Sequence, residues 1–225
     1  MANQLDLEEQ EQLDQLKHFW AQYGNLITWV LIAVLSAFAA WNAYQYWQRN
    51  QATQAAALFD ELERVAKGND TVKLDRVLGD MKDKFASTSY AQQAALLAAK
   101  VYFEAGKSDE AKSTLAWVAD KSSDAGYQAI ARLRLTGILL ESKAFEEALK
   151  QLSNTFPAEF SALVADRRGD VYMAQGKKSE AGAEFLKAYQ SLDEGAEYRR
   201  LVEVKMAALG LSVPLSKAEI VGEKK

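Results

Sequence analysis

The sequence GDVYMAQGKKSEAGAEF, residues 169–185, resembles two other stretches of the same chain. These are AKVYFEAGKSDEAKSTL at residues 99–115 and TGILLESKAFEEALKQL at residues 136–152. Alignment without gaps places an alanine at the same position of each stretch: Ala111, Ala148 and Ala181. The spacings of these alanines, 37 and 33 residues, are typical of helix hairpins that stack and bury one another's apolar faces.

Side-chain size within the third stretch indicates which repeat this is. The tetratricopeptide repeat, with a period of about 34 residues, has small and large residues in a fixed order. That order is met by Gly169, Tyr172, Ala181, Phe185 and Ala188. Small residues let the two helices of a hairpin approach, and large ones fill the space between hairpins. The other two units keep the order less completely, and the open alternative is an ordinary helical domain whose hairpins share lengths.

An apolar stretch precedes these repeats. Residues 26–43, LITWVLIAVLSAFAAWNA, are eighteen residues without a charge. As a helix they span about 27 Å, close to the thickness of a bilayer's hydrocarbon core. Aromatic residues flank the stretch, as expected where rings rest among lipid headgroups: Trp20, Tyr23, Trp41, Tyr44, Tyr46 and Trp47. The stretch therefore predicts a transmembrane helix over residues 25–47 and contact with the lipid bilayer.

A cleaved signal peptide is the alternative to a retained anchor, because Ala37-Phe38-Ala39 resembles a cleavage site. Signal peptides begin with a short positive region. Here the leading residues hold five acidic side chains against Lys17 alone. We therefore favour a retained anchor, although the sequence leaves cleavage after Ala39 open.

The remaining sequence also predicts helices. No run of alternating β-branched residues is present, residues 45–66 lack Gly and Pro, and apolar spacing predicts a helix over Thr71–Phe85. We predict an all-α fold: a single N-terminal transmembrane helix, then a tetratricopeptide-like right-handed α-solenoid of helix hairpins, closed by a capping helix at residues 198–209. The predicted domains are a short acidic head (1–24), the transmembrane helix (25–47), the repeat domain (48–211) and a mobile tail (212–225).

Charge and composition exclude several function classes. Removing the head's five acids and Lys17 from totals of 31 acidic and 27 basic residues leaves 26 of each after residue 48, so the chain beyond the anchor is balanced and has no nucleic-acid footprint. There is no cysteine, and His18 is the one histidine. No phosphate-binding loop, nucleophile elbow or zinc motif is present. We predict a protein that is not an enzyme and has no catalytic, cofactor-binding or metal-binding residues.

The densest charge cluster, residues 166–170, is predicted to form surface ion pairs on a helix. A helical stack offers a concave surface instead of a catalytic site. The predicted partner-binding groove comprises Leu96, Lys100, Phe103, Leu133, Leu140, Asp166, Asp170 and Met173. Internal packing, with the register shifted by one position, is the alternative for these residues. On the transmembrane helix, small residues at helical spacing predict contact with another membrane helix: Ala33, Ser36, Ala37 and Ala40.

Several of these features together resemble one bacterial family. They are the acidic head, KHFWAQYGN at 17–25, an anchor ending in WNAYQYWQ at 41–48, degenerate hairpins, and ALVADRRGDVYMAQGKKSEAGAEFLKAYQ at 162–190. This combination is similar to the ancillary subunits of the SecYEG translocon. The resemblance implies a single-pass inner-membrane protein with a cytoplasmic head and a periplasmic repeat domain. The implied partners are the SecYEG translocon, periplasmic chaperones and newly exported unfolded segments, and no catalytic residue is implied.

Three points stay open at the level of sequence. Lys17 and Arg49 flank the anchor about equally, so charge does not set its orientation. The alternative function is a membrane-tethered helical-repeat scaffold for a different envelope or cytoplasmic complex. The client proteins, the face that binds them and the oligomeric state are likewise not fixed by the sequence.

Overall fold

The computed structural model describes residues 7–211, and the surroundings of side chains from residue 10 onward. The predicted tail and the first six residues of the predicted head lie outside the described residues. Within 7–211 the chain forms helices and no strand, which confirms the all-α prediction. The helices are α1 Leu7–Lys67, α2 Thr71–Phe85, α3 Ser89–Glu104, α4 Ser108–Lys121, α5 Ala125–Glu141, α6 Phe145–Leu152, α7 Ser161–Ala174, α8 Lys178–Ser191 and α9 Glu197–Ala208, with a 3-10 turn at Ala158–Phe160.

The chain divides after Gln54 into two compact units. The first unit holds the apolar part of α1, where Trp29, Leu35 and Phe38 are each about two-thirds exposed. An eighteen-residue window of this helix has a mean hydropathy of 1.9, and none of it is buried within the protein. The helix is therefore long and apolar enough to cross a membrane. The exact limits 25–47 and 48–211 stay predictions.

The second unit is a stack of three hairpins, α3/α4, α5/α6 and α7/α8, preceded by residues 55–67 and α2. Ala111, Ala148 and Ala181 are all completely buried. The large residues four positions later, Leu115, Leu152 and Phe185, are at most 2% exposed. Three pairs of equivalent residues thus have equivalent surroundings, which confirms the register read from the sequence. The tetratricopeptide-like solenoid follows from this repetition.

Helix α9 closes the stack, as predicted for a capping helix. It buries Val202 and Met206 against a second apolar cluster that contains Phe185 and Tyr189 of α8. The Arg199 guanidinium lies 4.0 Å from the centre of the Tyr189 ring, within the range of a cation–π contact. This packing covers a face of the third hairpin that would otherwise be exposed.

The first helix of each hairpin ends in the same turn. Gly106, Lys143 and Gly176 occupy equivalent repeat positions, and their φ angles are 75°, 58° and 77°. The next N–H donates in each case to a carbonyl five residues upstream, as in Lys107 to Tyr102 at 2.8 Å. This is a Schellman turn, which normally has glycine at the left-handed position. The second hairpin places a lysine there and is the strained one.

Lys143→Gly is therefore expected to stabilise the protein by about 1 kcal/mol, since glycine adopts positive φ without a Cβ clash. The urea midpoint of the full-length protein in detergent, followed by far-ultraviolet circular dichroism, measures this change. The control is the reverse substitution at the equivalent turn, Gly106→Lys, which should destabilise the protein by a similar amount. An unchanged midpoint for Lys143→Gly would contradict the assignment of strain to this turn.

Candidate partner-binding groove

Three hairpins line one cavity of the repeat domain. Its volume is about 290 Å³, and its walls come from α3, α4, α5 and α7. The apolar lining residues are Ala99, Phe103, Leu115, Leu133, Gly137 and Ile138. The charged ones are Lys100, Arg134, Glu141 and Arg167. An apolar floor with a few charged groups at its edge is the usual composition of a site that binds another molecule.

The structure brings some of the predicted groove residues together in this cavity. Lys100, Phe103 and Leu133 line it. Leu96 is buried in the core, and its carbonyl accepts a hydrogen bond of 3.3 Å from Arg134 Nη1. Leu140 is half-buried and packs against the main core outside the lining residues. Three of the five residues predicted on α3 and α5 thus line the cavity and two do not, and binding by any of them stays a prediction.

On α7 the predicted residues face the capping helix instead. Asp166 is 1% exposed, and Lys205 Nζ lies 2.8 Å from both of its carboxylate oxygens. The Tyr198 hydroxyl donates to Asp166 Oδ2 at 2.6 Å. Lys205 Nζ is also 2.7 Å from Asp170 Oδ1. The prediction of a surface ion pair is wrong for Asp166, because α9 covers this side of α7.

Burial shapes the ionisation of this cluster. It raises the pKa of the Asp170 carboxyl, and the contacts with Lys205 oppose that rise. Burial, together with donation to the Asp166 carboxylate, raises the pKa of the Tyr198 hydroxyl well above its usual range. Tyr198 therefore stays a neutral hydrogen-bond donor at neutral pH. Met173, also predicted for the groove, is half-buried against the second apolar cluster.

The cavity, called the groove from here on, is also lined by two arginines that the sequence prediction did not include. Arg134 follows Leu133, and Arg167 follows Asp166, so each lies one position beyond a predicted residue. They are 33 residues apart, which is the spacing of the second and third repeats. On α7 the alternative register, shifted by one position, is the one that places a residue in the groove, since Arg167 lines it and Asp166 does not. The repeat spacing could have identified both arginines, because it marks them as equivalent residues.

The small residues predicted to contact another membrane helix lie on α1 in the first unit. Ala33, Ser36, Ala37 and Ala40 are all exposed there. Exposure leaves this face free for close approach of a second helix in lipid, where small residues favour association. The contact itself stays a prediction.

Comparison with known proteins identifies the family. The family described as "tetratricopeptide repeat-like domain" matches residues 17–211. A Neisseria gonorrhoeae protein named ancillary SecYEG translocon subunit is 30% identical over 90% of this chain and 98% of its own length. Proteins of the same name from Haemophilus influenzae and Escherichia coli are 28% and 25% identical, over 82% and 77% of this chain and 90% and 83% of their own lengths. No solved structure matches significantly. The chain belongs to the tetratricopeptide repeat-like family of ancillary SecYEG translocon subunits.

Proposed function

We propose that this chain is an ancillary subunit of the SecYEG translocon and acts as a non-enzymatic, membrane-anchored protein-interaction module. The observation that carries this proposal is the match to the Neisseria gonorrhoeae subunit over 98% of that protein's length. A match of this extent includes both the apolar helix and the repeats. The repeat fold supports an interaction role, because helical stacks present extended concave surfaces to partners.

In the proposed arrangement, residues 25–47 cross the inner membrane. The acidic head at 1–24 is cytoplasmic, and the repeat domain at 48–211 is periplasmic. The exposed apolar side chains of α1 support the membrane assignment, because such a surface is stable in lipid and not in water. The proposed orientation is the one that the family resemblance implies, and the charges that flank the anchor favour neither side.

The proposed partners of the repeat domain are periplasmic chaperones and newly exported, unfolded segments. The groove lined by Phe103 and Leu133 supports this role, because an apolar channel accepts the side chains of an extended chain. The anchor contributes by keeping the groove close to the translocon exit. Tethering of this kind raises the effective concentration of the groove for each emerging segment without any additional contact.

Site-specific photocrosslinking in intact cells tests the proposal. A photoreactive residue at Ser36 should crosslink to a membrane component of the translocon, and one at Lys100 should crosslink to chaperones or exported chains. The matched control position is Lys187, an exposed residue of α8 outside the groove. External protease should digest the repeat domain in spheroplasts. Crosslinks from Ser36 without any translocon component, or a protected domain, would instead support a scaffold for a different complex.

A further inference from the structure

The groove has an excess of positive charge that the domain as a whole lacks. Three of its four charged lining residues are basic, and each comes from a different helix: Lys100 from α3, Arg134 from α5 and Arg167 from α7. The sequence beyond the anchor holds equal numbers of acidic and basic residues. The excess is therefore local to this cavity.

These cations have little internal compensation. Lys100 Nζ lies 3.7 Å from Glu104, and both side chains are more than half exposed. Arg167 Nη1 lies 3.5 Å from Asp170 Oδ2, a carboxylate that Lys205 contacts more closely. Among residues 10–211, no carboxylate lies within ion-pair distance of the Arg134 guanidinium. An exposed pair such as Lys100–Glu104 contributes little, and Arg134 has no such partner among the same residues, so the groove edge can accept an external anion.

Repetition brings the two arginines to the same cavity. Arg134 and Arg167 are equivalent residues of packed helices α5 and α7, and both line the same cavity. Packed helices lie about 8–10 Å apart, so the two guanidinium groups can flank one acidic side chain or bind neighbouring ones. The planar guanidinium fork matches carboxylate geometry in two parallel hydrogen bonds.

The floor beside the arginines has room for an apolar side chain. Gly137 lines the cavity, and a Cβ placed on it would meet nothing within 4 Å. The surrounding lining is aliphatic and aromatic, with Phe103, Leu133 and Ile138. The open space at Gly137 therefore adjoins the arginine-lined edge.

Charge indicates which segment occupies the groove. In the tail at 212–225, both acidic residues, Glu219 and Glu223, have a lysine within two positions, and the basic groove edge would repel these lysines. The acidic head lies across the membrane in the proposed topology. We infer that the groove binds an extended segment of a partner protein in which an apolar side chain is flanked by acidic residues. This inference rests on the proposed function and specifies the chemistry of its partner.

Two short labelled peptides test the inference. Both peptides carry the sequence Leu-Phe-Leu, which is flanked by Asp residues in one peptide and by Lys residues in the other. Fluorescence anisotropy measures the affinity of each peptide for the full-length protein in detergent at low salt. The Asp peptide should bind at least about tenfold more tightly. In Arg134→Gln/Arg167→Gln this preference should fall below about threefold. The charge-matched control is Lys187→Gln/Arg200→Gln, which removes two exposed positive charges of α8 and α9 outside the groove.

A larger side chain in the groove provides a second test of peptide binding. Gly137→Leu should weaken binding of the Asp peptide at least about tenfold. Gly79→Leu is the matched control, because Gly79 lies in α2, outside the groove, and a Cβ placed on it would also meet nothing within 4 Å. Circular dichroism checks that each variant is folded. Equal affinity for both peptides, or no binding of the Asp peptide at millimolar concentration, would overturn the inference. Crosslinking from Ser36 tests the translocon association separately.

Discussion

Lys205→Met is expected to lower the free energy of unfolding by about 3 kcal/mol at neutral pH, because it leaves a buried carboxylate without its cation. Asp166 is 1% exposed, and Lys205 contacts both of its oxygens. Asp170 loses the same cation. The Tyr198 hydroxyl can solvate one oxygen of Asp166 but brings no charge. Methionine keeps the volume and most of the packing of the lysine stem, so the change measures the lost charge.

The pH dependence gives a second readout for this variant. Burial raises the pKa of Asp170 in the folded protein above its ordinary value. A carboxyl with a raised folded-state pKa contributes stability below its unfolded pKa of about 4, and that contribution is lost as pH rises through the folded-state value. Removing Lys205 takes away a contact that opposes this rise. The deficit of Lys205→Met should therefore shrink as the pH falls toward the carboxyl range.

Matched variants separate charge from packing in the same unfolding measurement. Asp166→Asn/Lys205→Met removes the Asp166 charge together with its cation, leaves Asp170 with Arg167, and should be less destabilised than Lys205→Met alone. Lys187→Met, at an exposed lysine of α8, should change stability by less than about 0.5 kcal/mol. A double variant as unstable as the single one would show that the buried charge is not the cause.

Gly169→Ala is expected to destabilise the protein by about 2 kcal/mol through overpacking. A Cβ at residue 169 would lie 2.5 Å from Cε1 and 2.6 Å from Cδ1 of Phe185. That ring is 1% exposed, so it has no free space into which to move. In an open helical position the same substitution stabilises by up to about 1 kcal/mol, because alanine favours helix more than glycine does. The clash therefore reverses the ordinary sign.

Gly79→Ala supplies the control, since a Cβ there meets nothing within 4 Å and should raise the urea midpoint. A rescue variant is available from the first repeat, where Ala99 and Leu115 occupy the positions of Gly169 and Phe185. Gly169→Ala/Phe185→Leu rebuilds that pair and should recover part of the lost stability. Failure of the smaller side chain to restore any stability would exclude the ring contact as the cause.

The fold could be predicted in detail because its signals are local and repeated. Periodicity alone predicts α2 at Thr71–Phe85, and the structure has the same limits. Residues 45–66, which lack Gly and Pro, are helical throughout, and α1 ends at Lys67, just before Gly68. The predicted cap at 198–209 differs from α9 by one residue at each end. Repeat register was predictable since three alanines must be small for the same physical reason.

The groove was only partly predictable because it depends on which helix faces are covered. Successive residues of an α-helix point about 100° apart, so an error of one position turns a groove residue into a packing residue. Asp166 and Arg167 are such neighbours. Sequence spacing does not reveal that α9 returns to cover Asp166, since the contact with Lys205 links residues 39 positions apart. The spacing of 33 residues shows that Arg134 and Arg167 are equivalent. Arg167 was not predicted for the groove because it belongs to the charge cluster 166–170, which was assigned to surface ion pairs.

The polar attachment of α9 also limits how far the stack can extend. A repeat stack with an open end can add further hairpins, or further copies of itself, and grow into a filament. Here α7 of the third hairpin presents two carboxylates, Asp166 and Asp170, to α9, and Lys205 of α9 supplies their cation. An apolar helix in the same place would bury both carboxylates without a counter-charge. Electrostatics therefore opposes a further hairpin in this place unless that hairpin brings a cation of its own.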